Sequence, residues 1–129
     1  MVTDIIGDFI IRLKNANIAG KDVVSMYTSK TKVALADALT RAGYVTSFSK
    51  NSTGKMLEVV LKYKADKSPK ITGVQRISKP SRRIYQKTTD IKPFKSGFGA
   101  TIISTPEGIL SNKEAVKQKV GGEILFKIW

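Results

Sequence analysis

Two stretches of this 129-residue chain gather side chains able to hold a polyanion. In Ser78-Lys79-Pro80-Ser81-Arg82-Arg83-Ile84-Tyr85, cations flank a turn and an aromatic follows. Lys79, Arg82 and Arg83 suit phosphate contacts, and Tyr85 suits base stacking beside them. The same charges also fit an edge strand guarded against pairing with another edge. The second stretch runs Gly97-Phe98-Gly99-Ala100-Thr101-Ile102-Ile103-Ser104-Thr105-Pro106-Glu107-Gly108-Ile109. It reads as a β-branched strand, Thr101 to Ser104, entering a tight turn. Small hydroxyls and a glycine in that turn let backbone groups come very close to a partner. Strand, turn, helix and strand of any small fold would read the same way.

Other chemistry is excluded or unsupported. The chain has no histidine, the commonest general base and metal ligand, and no cysteine for disulfides or thiolate metal sites. Its ten carboxylates are scattered without a pair for acid–base work. No phosphate-loop or dinucleotide glycine pattern occurs. What dominates is charge, a net +13 from 23 Lys and Arg against 10 Asp and Glu. A domain this basic is expected to meet a polyanion, and nucleic acid is favoured over a membrane surface. No segment combines an amphipathic face with a polybasic one, as an interfacial helix would. The N-terminus lacks the apolar run of a signal peptide or membrane span, which predicts a soluble cytoplasmic protein. Eleven basic residues and only two acids lie between Lys62 and Lys95, so this segment carries most of the charge.

The elements that must position these groups follow from periodicity. Thr3 caps a helix with Asp4 in its first turn and Ile5, Ile6, Phe9, Ile10 and Leu13 at helical spacing. Arg12, Lys14 and Asn15 lie on its far face, where cations near a helix C-terminus are favoured with or without RNA. Asn17 to Gly20 is expected to end this helix, and Val23 to Tyr27 to form a strand. Ser29 caps a second helix reaching about Arg41, with Gly43 as its left-handed stop. Lys30 and Lys32 in its first turn oppose the helix dipole, which an anionic partner would explain. Val45 to Lys50 and Lys55 to Tyr63 flank turn chemistry at Asn51-Ser52-Thr53-Gly54. Both helices are expected on one face of this sheet. Strands are expected at Ile71 to Arg76 and Arg82 to Gln86. Ser111 and Glu114 have capping-box spacing and open a short helix ending near Lys119. Gly121-Gly122 then leads into the closing strand, Ile124 to Trp129. The fold class is α+β with two small subdomains: an N-terminal α-β-α-β-β unit over residues 1–64, a linker over 65–70, and a mainly β C-terminal part with one short helix over 71–129.

Ile77 to Tyr85, Ile103-Ser104-Thr105-Pro106-Glu107-Gly108-Ile109 and Gly121-Gly122-Glu123-Ile124 occur in one order along the chain. With Thr3-Asp4-Ile5, Arg12 to Ala16 and the end at Ile128-Trp129, they closely resemble the eighth protein of the small ribosomal subunit, in its bacterial branch. The resemblance covers the whole chain. It implies a two-part α/β protein that binds the central domain of small-subunit ribosomal RNA early in assembly, beside neighbouring small-subunit proteins, with no enzymatic activity, cofactor, metal or small-molecule substrate. Family members often also bind a similar RNA shape in their own operon's messenger and repress its translation. Carried over by position, Ser104, Thr105, Pro106 and Gly108 enter the RNA minor groove at an irregular helix. Tyr85, Gly122 and Glu123 line the same surface beside Lys79, Arg82 and Arg83. Thr3, Asp4, Arg12, Asn15 and Lys30 form a second contact. Two positions depart from the family: Ser81 stands where glycine is usual, and Glu107 where a basic or neutral residue is common. The other class considered is a basic module for DNA or messenger RNA outside the ribosome.

Overall fold

The computed structural model describes residues 4–79, 81–91 and 99–129. The helical spacing of the opening segment becomes α1, Ile5–Ile18, which buries Phe9, Ile10, Leu13, Ala16 and Asn17. Thr3, the expected cap, lies outside the described residues. The helix ends within Asn17 to Gly20 as expected, with Ile18 its last residue and Gly20 at φ +79°. Asn17 does more than mark that end: it is fully buried, donating from Nδ2 to the Lys62 carbonyl at 3.2 Å and accepting the Ile71 N–H at 2.9 Å. Both partners lie far along the chain, so no local pattern could distinguish this asparagine from a helix stop.

β1 (Val23–Tyr27) follows, then α2 (Lys30–Ala42), β2 (Val45–Lys50) and β3 (Met56–Leu61). Ser29 caps α2 by accepting the Lys32 N–H, and Gly43 closes it at φ +87°, a conformation that costs glycine little. The three strands form an antiparallel sheet in the order β1-β3-β2. Val24, Met26, Leu57, Val59 and Leu61 are buried on one face, against α1 and α2. Their alternation with exposed residues along β1 and β3 puts both helices on that face. Residues 64–68 close a turn in which the Lys64 N–H donates to the Ser68 carbonyl. The Ser68 hydroxyl and N–H both donate to Asp66, holding its carboxyl below the usual range.

The chain divides into two compact units, residues 5–72 and residues 73–129 with Asp4. The second unit holds β4 (Val74–Arg76), β5 (Tyr85–Gln86), a 3-10 turn (Thr88–Asp90), β6 (Ala100–Thr105), β7 (Gly108–Ser111), α3 (Asn112–Gln118) and β8 (Gly122–Ile128). Its sheet runs β4-β8-β6-β7, with β5 also paired to β8. Ile91, Ile103, Ala115 and Ile124 form a buried cluster, joined by Ile77 and Val120. The capping box at Ser111 and Glu114 is formed, and α3 ends at Lys119 in the left-handed conformation, φ +58°. Trp129 exchanges backbone hydrogen bonds with Gly73 and lays its ring where a side chain at position 73 would stand.

Three expected boundaries change. The strand expected from Ile71 is confined to Val74–Arg76, that expected from Arg82 to Tyr85–Gln86, and the closing strand begins earlier, at Gly122. The first two have one cause. β4 and β5 lie along the same edge of β8, both antiparallel to it. Between them the Ile77 and Ser78 N–H groups still donate to Leu125 and Ile124. Lys79 and residues 81–83 leave that edge, and Ile84 rejoins it, its carbonyl accepting the Ile124 N–H.

Candidate nucleic-acid interface

The loop is pinned at its base by one residue. Ser78 is fully buried; its Oγ accepts the Ile84 N–H at 2.9 Å and donates to the Ile84 carbonyl at 3.2 Å. Above this clamp, Lys79 and Arg82 exchange backbone hydrogen bonds. Pro80 itself lies outside the described residues. Lys79, Arg82 and Arg83 are all exposed. They are not equivalent. Arg83 pairs with the Glu123 carboxylate at 3.1 Å, while Lys79 and Arg82 make no ion pair among the described residues.

Strand register brings the remaining groups together. Tyr85 lies opposite Glu123, Glu123 opposite Ser104, and Ser104 opposite Ile109. Directly opposed residues share a face, so aromatic, carboxylate and hydroxyl form one row across β5, β8 and β6. Tyr85 is 67% exposed, a ring with an open face for stacking. Gly122 makes the row possible. A Cβ there would stand 2.0 Å from the Ser104 carbonyl oxygen, and one at Gly121 would stand 2.4 Å from that of Gln86. The glycine pair is therefore required for close approach of strands on both sides.

The two hydroxyls of the β6–β7 hairpin differ. Thr105 Oγ1 donates to the Gly108 carbonyl at 2.8 Å and accepts the Glu107 N–H at 3.1 Å, building the turn through Pro106. Gly108 holds φ +114° to close it. The Ser104 side chain makes no hydrogen bond among the described residues and is free to meet a partner. Glu107 is exposed at the tip.

Asp4, Arg12, Asn15 and Lys30, expected to make a second contact, differ in their local surroundings. Asp4 forms a two-pronged ion pair with Arg76, both hydrogen bonds at 3.1 Å, and Arg76 also donates to the Leu125 carbonyl. Arg12, Asn15 and Lys21 line a groove of about 710 Å³ between α1 and β1, together with Val23 and Ser25. Lys30, the first residue of α2, lines a separate hollow of about 410 Å³ with Phe48 and Lys50. Thr3 lies outside the described residues. Sequence reasoning missed Ser78 and the ion pairs of Asp4 and Glu123. The signal for Ser78 was present only as a serine before a proline-containing turn, which does not reveal burial.

Among the described residues no helix is long and apolar enough to cross a membrane, and no group of three or more acidic side chains could hold a metal ion. A family profile described as "Ribosomal protein S8" matches residues 4–129. The chain is similar to proteins named "Small ribosomal subunit protein uS8". That of Chloroflexus aggregans is 42% identical over 131 residues, covering 99% of this chain and 98% of the relative. That of Nitratiruptor is 44% identical over 134 residues, covering all of both chains. That of Nocardia farcinica is 43% identical over 130 residues, covering 99% of this chain and 98% of the relative. With a profile match reaching the last residue and relatives this similar along their whole length, the chain belongs to the ribosomal protein S8 family.

Proposed function

We propose that this chain, a non-enzymatic constituent of the small ribosomal subunit in the cytoplasm, binds the central domain of that subunit's RNA early in assembly. On this reading it holds an irregular helix there, and a similar RNA shape in its own operon's messenger. The observation that carries the proposal is the row Tyr85–Glu123–Ser104, beside a clamped loop bearing Lys79 and Arg82. The minor groove of A-form RNA displays 2′-hydroxyls and base edges. Ser104 donates or accepts there, Glu123 accepts from a base or hydroxyl donor, and Tyr85 stacks on an unpaired base. Lys79 and Arg82 hold the flanking phosphates. Thr105, Pro106 and Gly108 shape the turn that carries Ser104 into the groove. Arg12 and Asn15 in one groove and Lys30 in another form a second contact with the RNA. Asp4 serves by orienting Arg76.

The two hydroxyls provide the test. Ser104→Ala removes a free hydrogen-bonding group and leaves the turn intact. It is expected to weaken binding to the isolated irregular helix by about 1 kcal/mol, roughly fivefold. Thr105→Ser keeps the hydroxyl that builds the turn and is expected to bind like the parent. Binding isotherms against the irregular helix and a regular duplex decide it. A Ser104→Ala protein that still prefers the irregular helix as strongly as its parent would mean this row does not read RNA.

A further inference from the structure

We propose that the hollow beside Lys30 takes one unpaired base of the RNA together with its phosphate, so that this contact holds an extruded nucleotide. The hollow, about 410 Å³, lies between the first turns of α2 and the last residues of β2. Sites for small ligands commonly measure about 300–1,000 Å³. Val33 and Ala34 line it from α2, and Phe48 lines it from β2. Phe48 stands opposite Val59, on the face of the sheet turned toward the helices, yet it is only half-buried. β2 is an outer strand, and no further strand of the sheet closes the hollow beyond it.

Two features define the occupant. The first is charge. Lys30 and Lys50 line the hollow, and neither makes an ion pair among the described residues. The one acid in the lining, Asp37, is already matched by Arg41 a helical turn away. An apolar side chain would leave both cations unanswered, and a basic protein would be repelled by them. A nucleotide joins the two requirements in one unit: a flat base for the Phe48 ring and a phosphate for the lysines. The second feature is Thr28, which also lines the hollow. Its Oγ1 is buried with no hydrogen-bond partner among the described residues. Buried hydroxyls are ordinarily paired, and a ribose hydroxyl or base edge in the hollow supplies the missing partner.

The inference rests on the RNA-binding reading, and its test separates the two. The purified chain is bound to small-subunit RNA, and unpaired bases are probed with reagents that modify their pairing edges. The parent is expected to protect one unpaired base that Phe48→Leu exposes, because leucine fills the space but offers no ring to stack on. Ser104→Ala is expected to leave that base protected. Phe48→Leu is expected to bind about tenfold more weakly, and Phe48→Tyr like the parent. Thr28→Val keeps the shape and removes the unpaired hydroxyl. It is expected to raise the denaturant midpoint and yet to bind about fivefold more weakly, whereas a purely structural threonine would leave binding unchanged. Circular dichroism checks that each variant folds. A Phe48→Leu protein that exposes no base, or that binds like its parent, overturns the inference. If Phe48→Leu does not fold, Thr28→Val decides, and parent-like binding overturns it. A photoreactive phenylalanine analogue in place of Phe48, irradiated in assembled small subunits, is expected to capture RNA; capture of a protein, or of nothing, overturns it as well. If Ser104→Ala loses its preference for the irregular helix while Phe48→Leu changes nothing, the hollow falls and the row Tyr85–Glu123–Ser104 stands. The reverse result removes the row and keeps the hollow. A chain that does not bind small-subunit RNA overturns both.

Discussion

Ser78 shows how one hydroxyl outside the expected contact set governs those within it. Its Oγ holds both backbone groups of Ile84, so Lys79 to Arg83 leave β8 and return at fixed points. Ser78→Ala leaves the Ile84 N–H buried without its partner, a loss typically of about 1–3 kcal/mol. The variant is expected to be destabilised by that amount in chemical denaturation and to lose exchange protection at the Ile84 amide. Binding to the irregular helix is expected to fall about tenfold through loss of preorganisation, with the salt dependence unchanged because no charge is removed. Normal amide protection in a folded Ser78→Ala protein would show that other contacts close the loop. The sequence marks this serine only as part of a turn. Its burial depends on β8, whose contacting residues come more than 40 positions later. Asn17 escaped for the same reason, as did the pairing of Arg83 with Glu123. Partners distant along the chain leave no trace in local spacing.

What is encoded locally was legible. Ser29 and Gly43 bracket α2, and Ser111 with Glu114 opens α3, because a cap and its partner lie within a few residues. The limits of β4 and β5 were not, since pairing with β8 decides them. Gly122 combines the two cases: the glycine is conspicuous, but its reason is the Ser104 carbonyl oxygen lying where a Cβ would go. The obstructing atom is backbone and cannot swing aside. Gly122→Ala is therefore expected to force β6 and β8 apart, costing at least about 1–3 kcal/mol and weakening RNA binding as the row Tyr85–Glu123–Ser104 opens. A Gly122→Ala protein with unchanged denaturation midpoint and affinity would contradict this close packing. Lys119 presents the opposite opportunity. It ends α3 at φ +58° and ψ +42°, where a side chain is strained and glycine is not. Lys119→Gly is expected to raise stability by about 0.5–1 kcal/mol, read as a higher denaturant midpoint at unchanged slope.

Across the whole molecule, net charge announced a polyanionic partner, but the count of cations overstates how many are available to it. The segment from Lys62 to Lys95 has eleven basic residues and two acids. Within it Arg76 is engaged by Asp4 and Arg83 by Glu123, partners that local charge counting does not include. Lys79, Arg82 and Lys87 make no ion pair among the described residues; Lys92 and Lys95 lie outside them. Adjacent arginines should consequently behave differently. Each phosphate neutralised on binding contributes roughly 0.7–0.9 to the slope of log affinity against log salt. Arg82→Ala is expected to flatten the slope by about that amount and to weaken irregular and regular helices alike. Arg83→Ala is expected to change the slope less, because its charge is already matched by Glu123. It also leaves that carboxylate unpaired against the RNA, so affinity should fall at every salt concentration, most for the irregular helix. Salt titrations of both variants against both RNAs distinguish these outcomes. A larger slope change for Arg83 than for Arg82 would mean that the Arg83–Glu123 pair opens on binding and Arg83 is the phosphate contact.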